Sequence, residues 1–243
     1  MTDLLDALRS RHSSRVPFDS TRVVASHDLQ LILDAARWAP TPHNMQNFEI
    51  IAVDDPALIE AIGDISSTVT LEFLRENYEQ VSSSDEELAR RKVGISARGF
   101  PPAWLDPATW EDLPASREFT RTLHESLLGC PVLLVVLYDA ERRAPASQGD
   151  SLGLMGLGCV LENMWLRAQS LGISVQVLAS LAGSEVEPAL AKLLGIPDRM
   201  RVAFGCRLGY PLADTISGLR VRREIRDFAY RNVYGNPTSQ TTP

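Results

Sequence analysis

The stretch Pro131 to Tyr138, PVLLVVLY, is the feature that most limits how this chain can fold. An unbroken apolar run rich in Val and Leu reads as a β-strand buried on both faces, because a strand with one wet face would alternate. Extended back to Cys130 the run has nine residues, about half of the roughly 20 that a membrane-spanning helix needs. A sheet covered on both sides is the architecture to look for.

The rest of the chain supplies the covering helices. Residues 3–11 predict a short helix, and Asp28 to Trp38 a second, with Asp28 or Ser26 as its cap. Pro40 and Pro42 end that helix and open the loop APTPHNMQN, after which Phe48 to Val53 reads as a strand and Pro56 starts a helix to about Ile65. Beyond the apolar run, Asp150 or Ser151 caps a long helix closed by Gly172. Ile173 to Leu178 is a strand, Glu185 to Leu194 a helix closed by Gly195, and Arg201 to Leu208 a strand ending at Gly-Tyr-Pro. Helices and strands mostly alternate without an internal repeat, which leaves α/β and α+β both open.

Residues 66–125 break the rhythm. Two charged helical stretches, LEFLRENYEQ and SSSDEELARRKVG, precede GFPPAWLDPATWEDLP. Tryptophans in a Pro-rich loop are seldom left in water, so this excursion is expected to be ordered, either as a lid or as a surface loop pinned by its own aromatics.

With 31 acidic against 24 basic side chains the net charge is −7. That balance argues against nucleic acid as a partner while leaving room for a local basic pocket. The opening MTDLLDALRSRH carries acids where a signal peptide needs basic residues, so a cytoplasmic protein with no membrane association is expected. Cys130, Cys159 and Cys206 lie apart among apolar neighbours and read as core thiols. His12, His27, His43 and His124 have no metal-ligand spacing, so no metal site is expected, and neither GxSxG nor GxxxxGK[ST] occurs. GLMGLG, from Gly153 to Gly158, has the order GxxGxG inside a helical pattern. Close packing against another helix explains it better than a dinucleotide loop.

Basic clusters remain at the two ends. Arg9, Arg11, His12 and Arg15 surround Ser13 and Ser14, and Arg220, Arg222, Arg223 and Arg226 lie near the finish. They could be solvated helix faces, or they could converge on one anion, for which guanidinium forks and a hydroxyl are suited donors.

At these residues the sequence resembles the FMN-dependent nitroreductase family. Arg11-His12-Ser13-Ser14-Arg15 followed by Phe18 is similar to the family's Arg-x-Ser-x-Arg/Lys-x-Phe motif with one extra residue before the Phe. Ala39-Pro40-Thr41-Pro42-His43-Asn44-Met45-Gln46 resembles its Pro-Ser-x-x-Asn-x-Gln loop. Leu193-Leu194-Gly195-Ile196-Pro197 and Arg207-Leu208-Gly209-Tyr210-Pro211 resemble its Leu-Gly-Ile-Pro and Leu-Gly-Tyr-Pro stretches. The matches run in order along nearly the whole chain and leave mainly the middle excursion unmatched. The chain departs from the pattern at Asn47-Phe48, where Pro-Trp is usual, and at Leu181-Ala182-Gly183-Ser184-Glu185, where a Pro and an aromatic are expected.

The resemblance implies an α+β fold: a single nitroreductase-like domain over 1–243, built as a three-layer α/β/α sandwich on a central mixed, mainly antiparallel sheet. It implies an obligate homodimer embraced by a carboxyl tail at about 220–236. It implies FMN as cofactor, with Arg11, His12, Ser13, Arg15, Arg220 and Arg222 around the phosphate and ribityl end. Pro42 and Asn44 would lie at the ring edge, and the backbone of Leu181, Ala182 and Gly183 would face flavin N5. The activity implied is ping-pong transfer of electrons from NADH or NADPH to an electron-poor small molecule such as a nitroaromatic or quinone, the flavin doing the chemistry without a catalytic side chain. A biosynthetic flavin-dependent dehydrogenase and a flavin-binding protein without turnover are the alternatives. Phe100, Trp104 and Trp110 of the excursion are the candidates for stacking on a planar substrate.

Overall fold

The computed structural model describes residues 3–67, 70–80, 82–99, 104–110, 123–145, 149–212 and 219–238. The chain divides into two compact units, Met1–Thr68 with Ser116–Ile216, and Val69–Ala115 with Ser217–Pro243. The second unit joins most of the middle excursion to the carboxyl tail, the two segments that the sequence sets apart.

In chain order the helices are α1 (Leu4–Ser10), α2 (Ser26–Arg37), α3 (Pro56–Gly63), α4 (Leu71–Leu74), α5 (Asp85–Arg91), α6 (residues 123–127), α7 (Ser151–Ser170) and α8 (Val186–Leu194). The strands are β1 (Phe48–Val53), β2 (Ser82–Ser83), β3 (Ile95–Ser96), β4 (Val132–Asp139), β5 (Ser174–Leu178) and β6 (Met200–Gly209).

The first unit is built on a four-stranded sheet of order β1-β4-β6-β5 in which every neighbouring pair is antiparallel. The predicted double-sided strand is β4, buried from Val132 to Leu137. Its even residues Leu134 and Val136 pack with Ile32 and Ala36 of α2 and with Val160, Met164 and Ala168 of α7. Its odd residues Leu133, Val135 and Leu137 pack with Ile59 and Ile62 of α3, Leu123 and Leu127 of α6, and Val186 and Leu190 of α8. Two-residue alternation along one strand thus feeds two separate cores. Helices α2 and α7 are also tied by Asn163, whose Nδ2 donates to the Ala35 carbonyl at 3.1 Å.

Helix ends follow local chemistry. Asp55 accepts from the Ala57 amide at 2.9 Å and Pro56 opens α3. Gly172 and Gly195 close α7 and α8 at φ +73° and +67°, a left-handed turn that glycine takes without strain. The expected caps of α2 are displaced: Ser26 is already the first helical residue, and Ala25 precedes it with no side-chain cap. Asp150 precedes α7 without capping it through its side chain. A Cβ on Gly156 would meet Pro42 and Thr41 of the loop, while one on Gly158 would meet open space. Within this chain neither position receives another α-helix. Cys130 and Cys206 are buried, and Cys159 is partly so.

In the second unit, α4 runs into a π-type turn at Arg75–Gln80, and β2 pairs with β3 in parallel. α5 starts at Ser84, whose hydroxyl accepts from the Glu87 amide. Trp104 and Trp110 are both buried. Trp104 stands edge-on to Phe73 at 5.7 Å and Trp110 edge-on to Tyr78 at 5.9 Å, while Trp110 Nε1 donates to the Trp104 carbonyl. Lys92 at the end of α5 reaches Glu224 of the tail at 2.7 Å, and Glu224 forms a reciprocal cap with Asp227.

Candidate functional site

The amino-terminal basic segment is gripped on three sides. α1 docks on α7, where Gln169 donates through Nε2 to the Ala7 carbonyl at 3.2 Å and to the Ser10 hydroxyl at 2.5 Å. Ser13 then pairs with Val175 of β5, and the Ser14 amide donates to the Val175 carbonyl at 2.9 Å. From below, Arg207 of β6 donates to the carbonyls of Ser14 (3.1 Å), Val16 (2.7 Å) and Ser126 (2.6 Å), with its guanidinium 4.2 Å over the Phe18 ring. Phe18 bridges to Pro211, and the Asp19 amide donates to the Tyr210 carbonyl.

This pairing sets which side chains face out. Ser14 is buried, while Ser13 is half-buried and Arg15 exposed, as two-residue alternation requires. His12 is half-buried, and its Nδ1 donates to the Ser10 carbonyl at 3.1 Å. Arg11 lies at the end of α1 with its guanidinium 4.5 Å over the Trp165 ring and its Nε 3.1 Å from Glu162 Oε1, both on α7. Arg11, Ser13 and Arg15 thus form a partly exposed set of charged and hydroxyl donors on an immobilised backbone, a donor set that fits a phosphate.

Arg207 was not singled out by its sequence context as part of this site. It is 2% exposed, burial pushes its pKa down to about 10, and its Nε has no partner among the described residues. A lone charge inside the apolar run VAFGCRLGY, residues 202–210, is the available signal. Glu162 and Trp165 carried none, since their role comes from lying against α1.

The loop after α2 is conformationally strained. His43, Asn44 and Gln46 have φ of +50°, +52° and +45°, a region that non-glycine residues enter at a cost and that clusters at ligand sites. Thr41 holds it, its carbonyl accepting from the Asn44 amide and its hydroxyl from the Gln46 amide. Gln46 Nε2 donates to Asn44 Oδ1 at 3.1 Å. A Cβ on Gly156 would lie 3.4 Å from Pro42 Cδ, so α7 supports this loop as well as the basic segment. Asn47, where the family has Pro, is buried and donates through Nδ2 to the Arg142 carbonyl.

The third element is the turn after β5. Leu181 is fully buried, and a Cβ on Gly205 would lie 2.5 Å from its Cδ1, so β6 needs glycine there for the turn to seat. Gly183 has an ordinary φ of −66°, and its amide donates to the Ser180 carbonyl at 3.1 Å. In this conformation that amide is not presented to a ligand. α8 is locked behind the turn by Glu187, which accepts from Arg201 at 2.8 and 2.6 Å and from the Val202 amide at 2.9 Å. The Arg201 hydrogen bonds hold the Glu187 carboxyl below its ordinary value. The stability this contact adds is therefore present above the usual carboxylate range and lost as pH falls through the lowered value.

In the second unit Arg220 and Arg222 are exposed, and Arg222 Nη1 donates to the Val221 carbonyl. Phe100 lies outside the described residues. Trp104 and Trp110 are engaged by Phe73 and Tyr78, so stacking on a substrate would require them to present a different edge or leave those partners. Among the described residues no group of His, Cys, Asp or Glu could hold a metal, and no helix is long and apolar enough to cross a membrane.

Comparison with known proteins agrees with this architecture. The solved structures it resembles include a nitroreductase family protein from Clostridium novyi NT (17% identity, TM-score 0.58, 97% of each chain covered). A nitroreductase with bound FMN from Bacteroides fragilis NCTC 9343 aligns at 21% identity and TM-score 0.53, covering 96% of this chain and all of that one. An FMN-dependent nitroreductase from Clostridium difficile R20291 aligns at 15% identity and TM-score 0.55, covering 97% of this chain and all of that one. No curated protein sequence matches. These likenesses define a nitroreductase-like α+β fold with a mainly antiparallel sheet. The Nitroreductase family model matches residues 8–210, and the chain belongs to that family.

Proposed function

We propose that this protein is an FMN-dependent oxidoreductase that takes electrons from NADH or NADPH and, once that donor has left, passes them to an electron-poor acceptor such as a nitroaromatic or quinone. The observation that carries the reading is the immobilised basic segment, with Arg11, Ser13 and Arg15 held on the same helix, α7, that supports the strained loop. Bound FMN would supply the hydride chemistry, and the protein's share is to bind and orient it.

Arg11 and Arg15 would give charge-assisted bonds to the phosphate, with the Ser13 hydroxyl and His12 beside them, and the resemblance assigns Arg220 and Arg222 to the same ligand. Pro42 and Asn44 would border the ring. Leu181 and Ala182 would supply backbone near N5, and Gly183 would join them only if its bond to Ser180 opened. Substrate selection by the excursion, with Phe100, Trp104 and Trp110, completes the proposal.

The purified protein is expected to be yellow and to release FMN, not FAD, on denaturation. NADH or NADPH is expected to bleach it anaerobically, and a quinone to restore the colour. Colourless protein that FMN cannot reconstitute would end this reading. Slow bleaching by both nicotinamides would instead favour a dehydrogenase with its own reductant, and stable colour with every donor a binding protein without turnover.

We further propose a cytoplasmic homodimer with the three-layer arrangement. Helices on both faces of β4 support the layers. Support for the dimer comes from apolar surface: Leu154 and Met155 on α7, Leu4, Leu5 and Leu8 on α1, and Ile225, Phe228, Val233 and Tyr234 on the tail are all exposed. Burying one such side chain is worth about 1.5–3 kcal/mol. Truncation after Arg226 removes Phe228, Val233 and Tyr234 with the rest of the tail but keeps Arg220 and Arg222. Sedimentation is expected to show weakened dimers or insoluble protein; a truncated dimer as stable as the full chain would exclude the tail from the interface.

A further inference from the structure

We propose that Glu162 is a built-in counter-anion for Arg11, a carboxylate that holds the guanidinium in the ligand-free protein and competes with an incoming phosphate for it. The flavin arm of this proposal rests on the FMN reading above; its phosphate arm does not.

Glu162, Trp165 and Gln169 stand at positions i, i+3 and i+7 of α7, one stripe turned toward the end of α1. Each grips a different part of it. Trp165 takes the guanidinium face, Gln169 takes Ser10 and the Ala7 carbonyl, and Glu162 takes Arg11 Nε. Trp165 and Gln169 are neutral, and they orient α1 and Arg11 without changing the charge offered to a ligand. Glu162 differs, since it lies 3.1 Å from the guanidinium and cancels its field. An anion bonded to Arg11 must sit close to that carboxylate, well within a screening length of about 8 Å. The two side chains are only 23% and 38% exposed, so water attenuates the repulsion incompletely. Arg15 makes the contrast: it is exposed and has no acidic partner in ion-pair reach among the described residues.

The consequence is selective. A ligand with a phosphate must displace or tolerate Glu162, whereas one without it need not. Glu162→Gln keeps the size of the side chain and removes its charge. At the effective dielectric of a half-buried pair, that change is expected to tighten phosphate binding roughly tenfold.

The test uses full-length flavin-free wild type, Glu162→Gln, Arg11→Ala and the double variant. FMN and riboflavin affinities are read by flavin fluorescence quenching, and thermal midpoints are read in inorganic phosphate against chloride at equal ionic strength. Glu162→Gln is expected to bind FMN roughly tenfold tighter and riboflavin unchanged, to lose that gain when Arg11 is also Ala, and to be stabilised more than wild type by inorganic phosphate. FMN affinity that is equal or weaker in Glu162→Gln overturns the proposal. So does an equal gain for riboflavin, or a gain that survives without Arg11. If neither flavin binds any variant, the FMN reading falls and the phosphate arm decides alone: greater stabilisation of Glu162→Gln upholds the counter-anion, and equal stabilisation overturns it.

Discussion

Arg207→Met is expected to lower the thermal midpoint by roughly 5–15 °C, taking about 2–4 °C per kcal/mol for a chain of this size. Two effects oppose each other. Methionine removes a buried charge that faces no carboxylate among the described residues. The fall in pKa from the ordinary 12.5 to about 10 bounds what that removal recovers at about 3 kcal/mol. Against it, the carbonyls of Ser14, Val16 and Ser126, the first buried and the other two partly so, lose their donor, and an unpaired acceptor costs about 1–3 kcal/mol, nearer the lower figure where burial is partial. Three acceptors outweigh one charge, leaving a net loss of about 2–4 kcal/mol. The damage should be local first. Hydrogen exchange is expected to speed at the Ser14 and Asp19 amides, which bond to Val175 and Tyr210, before the sheet is affected. Arg207→Lys, which keeps the charge and some donors, should fall between. An unchanged midpoint and unchanged exchange in Arg207→Met would show that the segment is held by strand pairing alone.

That result bears on what a sequence can disclose. β4 was legible because burial on both faces leaves an unbroken apolar run, and Gly172 and Gly195 marked helix ends because few other residues turn left-handed cheaply. The candidate phosphate residues Arg11, Ser13 and Arg15 were legible as a motif, but what immobilises them was not. Glu162, Trp165, Val175 and Arg207 act on them across some 150 residues or more of chain, and neither spacing nor periodicity encodes which strand lies beside β5. The strand order β1-β4-β6-β5 was hidden for the same reason. The glycines of α7 lie in a helix as their pattern predicts, but the neighbour of Gly156 is the loop at Thr41 and Pro42, because a pattern of small residues says that something approaches and not what. The excursion's tryptophans fit both a lid and a self-packed loop by sequence, and T-shaped contacts with Phe73 and Tyr78 favour the packed arrangement.

Arg11→Ala is expected to weaken FMN binding by about 10- to 150-fold, the loss of roughly 1.5–3 kcal/mol of charge-assisted bonding. The fold itself should barely respond. The Arg11 contact with Glu162 is partly exposed, and pairs of that kind contribute about 1 kcal/mol or less; α1 keeps its Gln169 bonds in the variant. Arg9→Ala supplies the control, since Arg9 lies in the last turn of α1 and carries the same charge but falls outside the motif that begins at Arg11. Its effect on FMN should be a few-fold at most and should fade with added salt, as long-range attraction does. Riboflavin separates the remaining possibilities. If Arg11 meets the phosphate, riboflavin binding should hardly change in Arg11→Ala, whereas a distorted segment would weaken both flavins together. Equal losses at Arg9 and Arg11 would reduce the basic segment to a general attraction for anions, and the specific phosphate site proposed for Arg11, Ser13 and Arg15 would have to be abandoned.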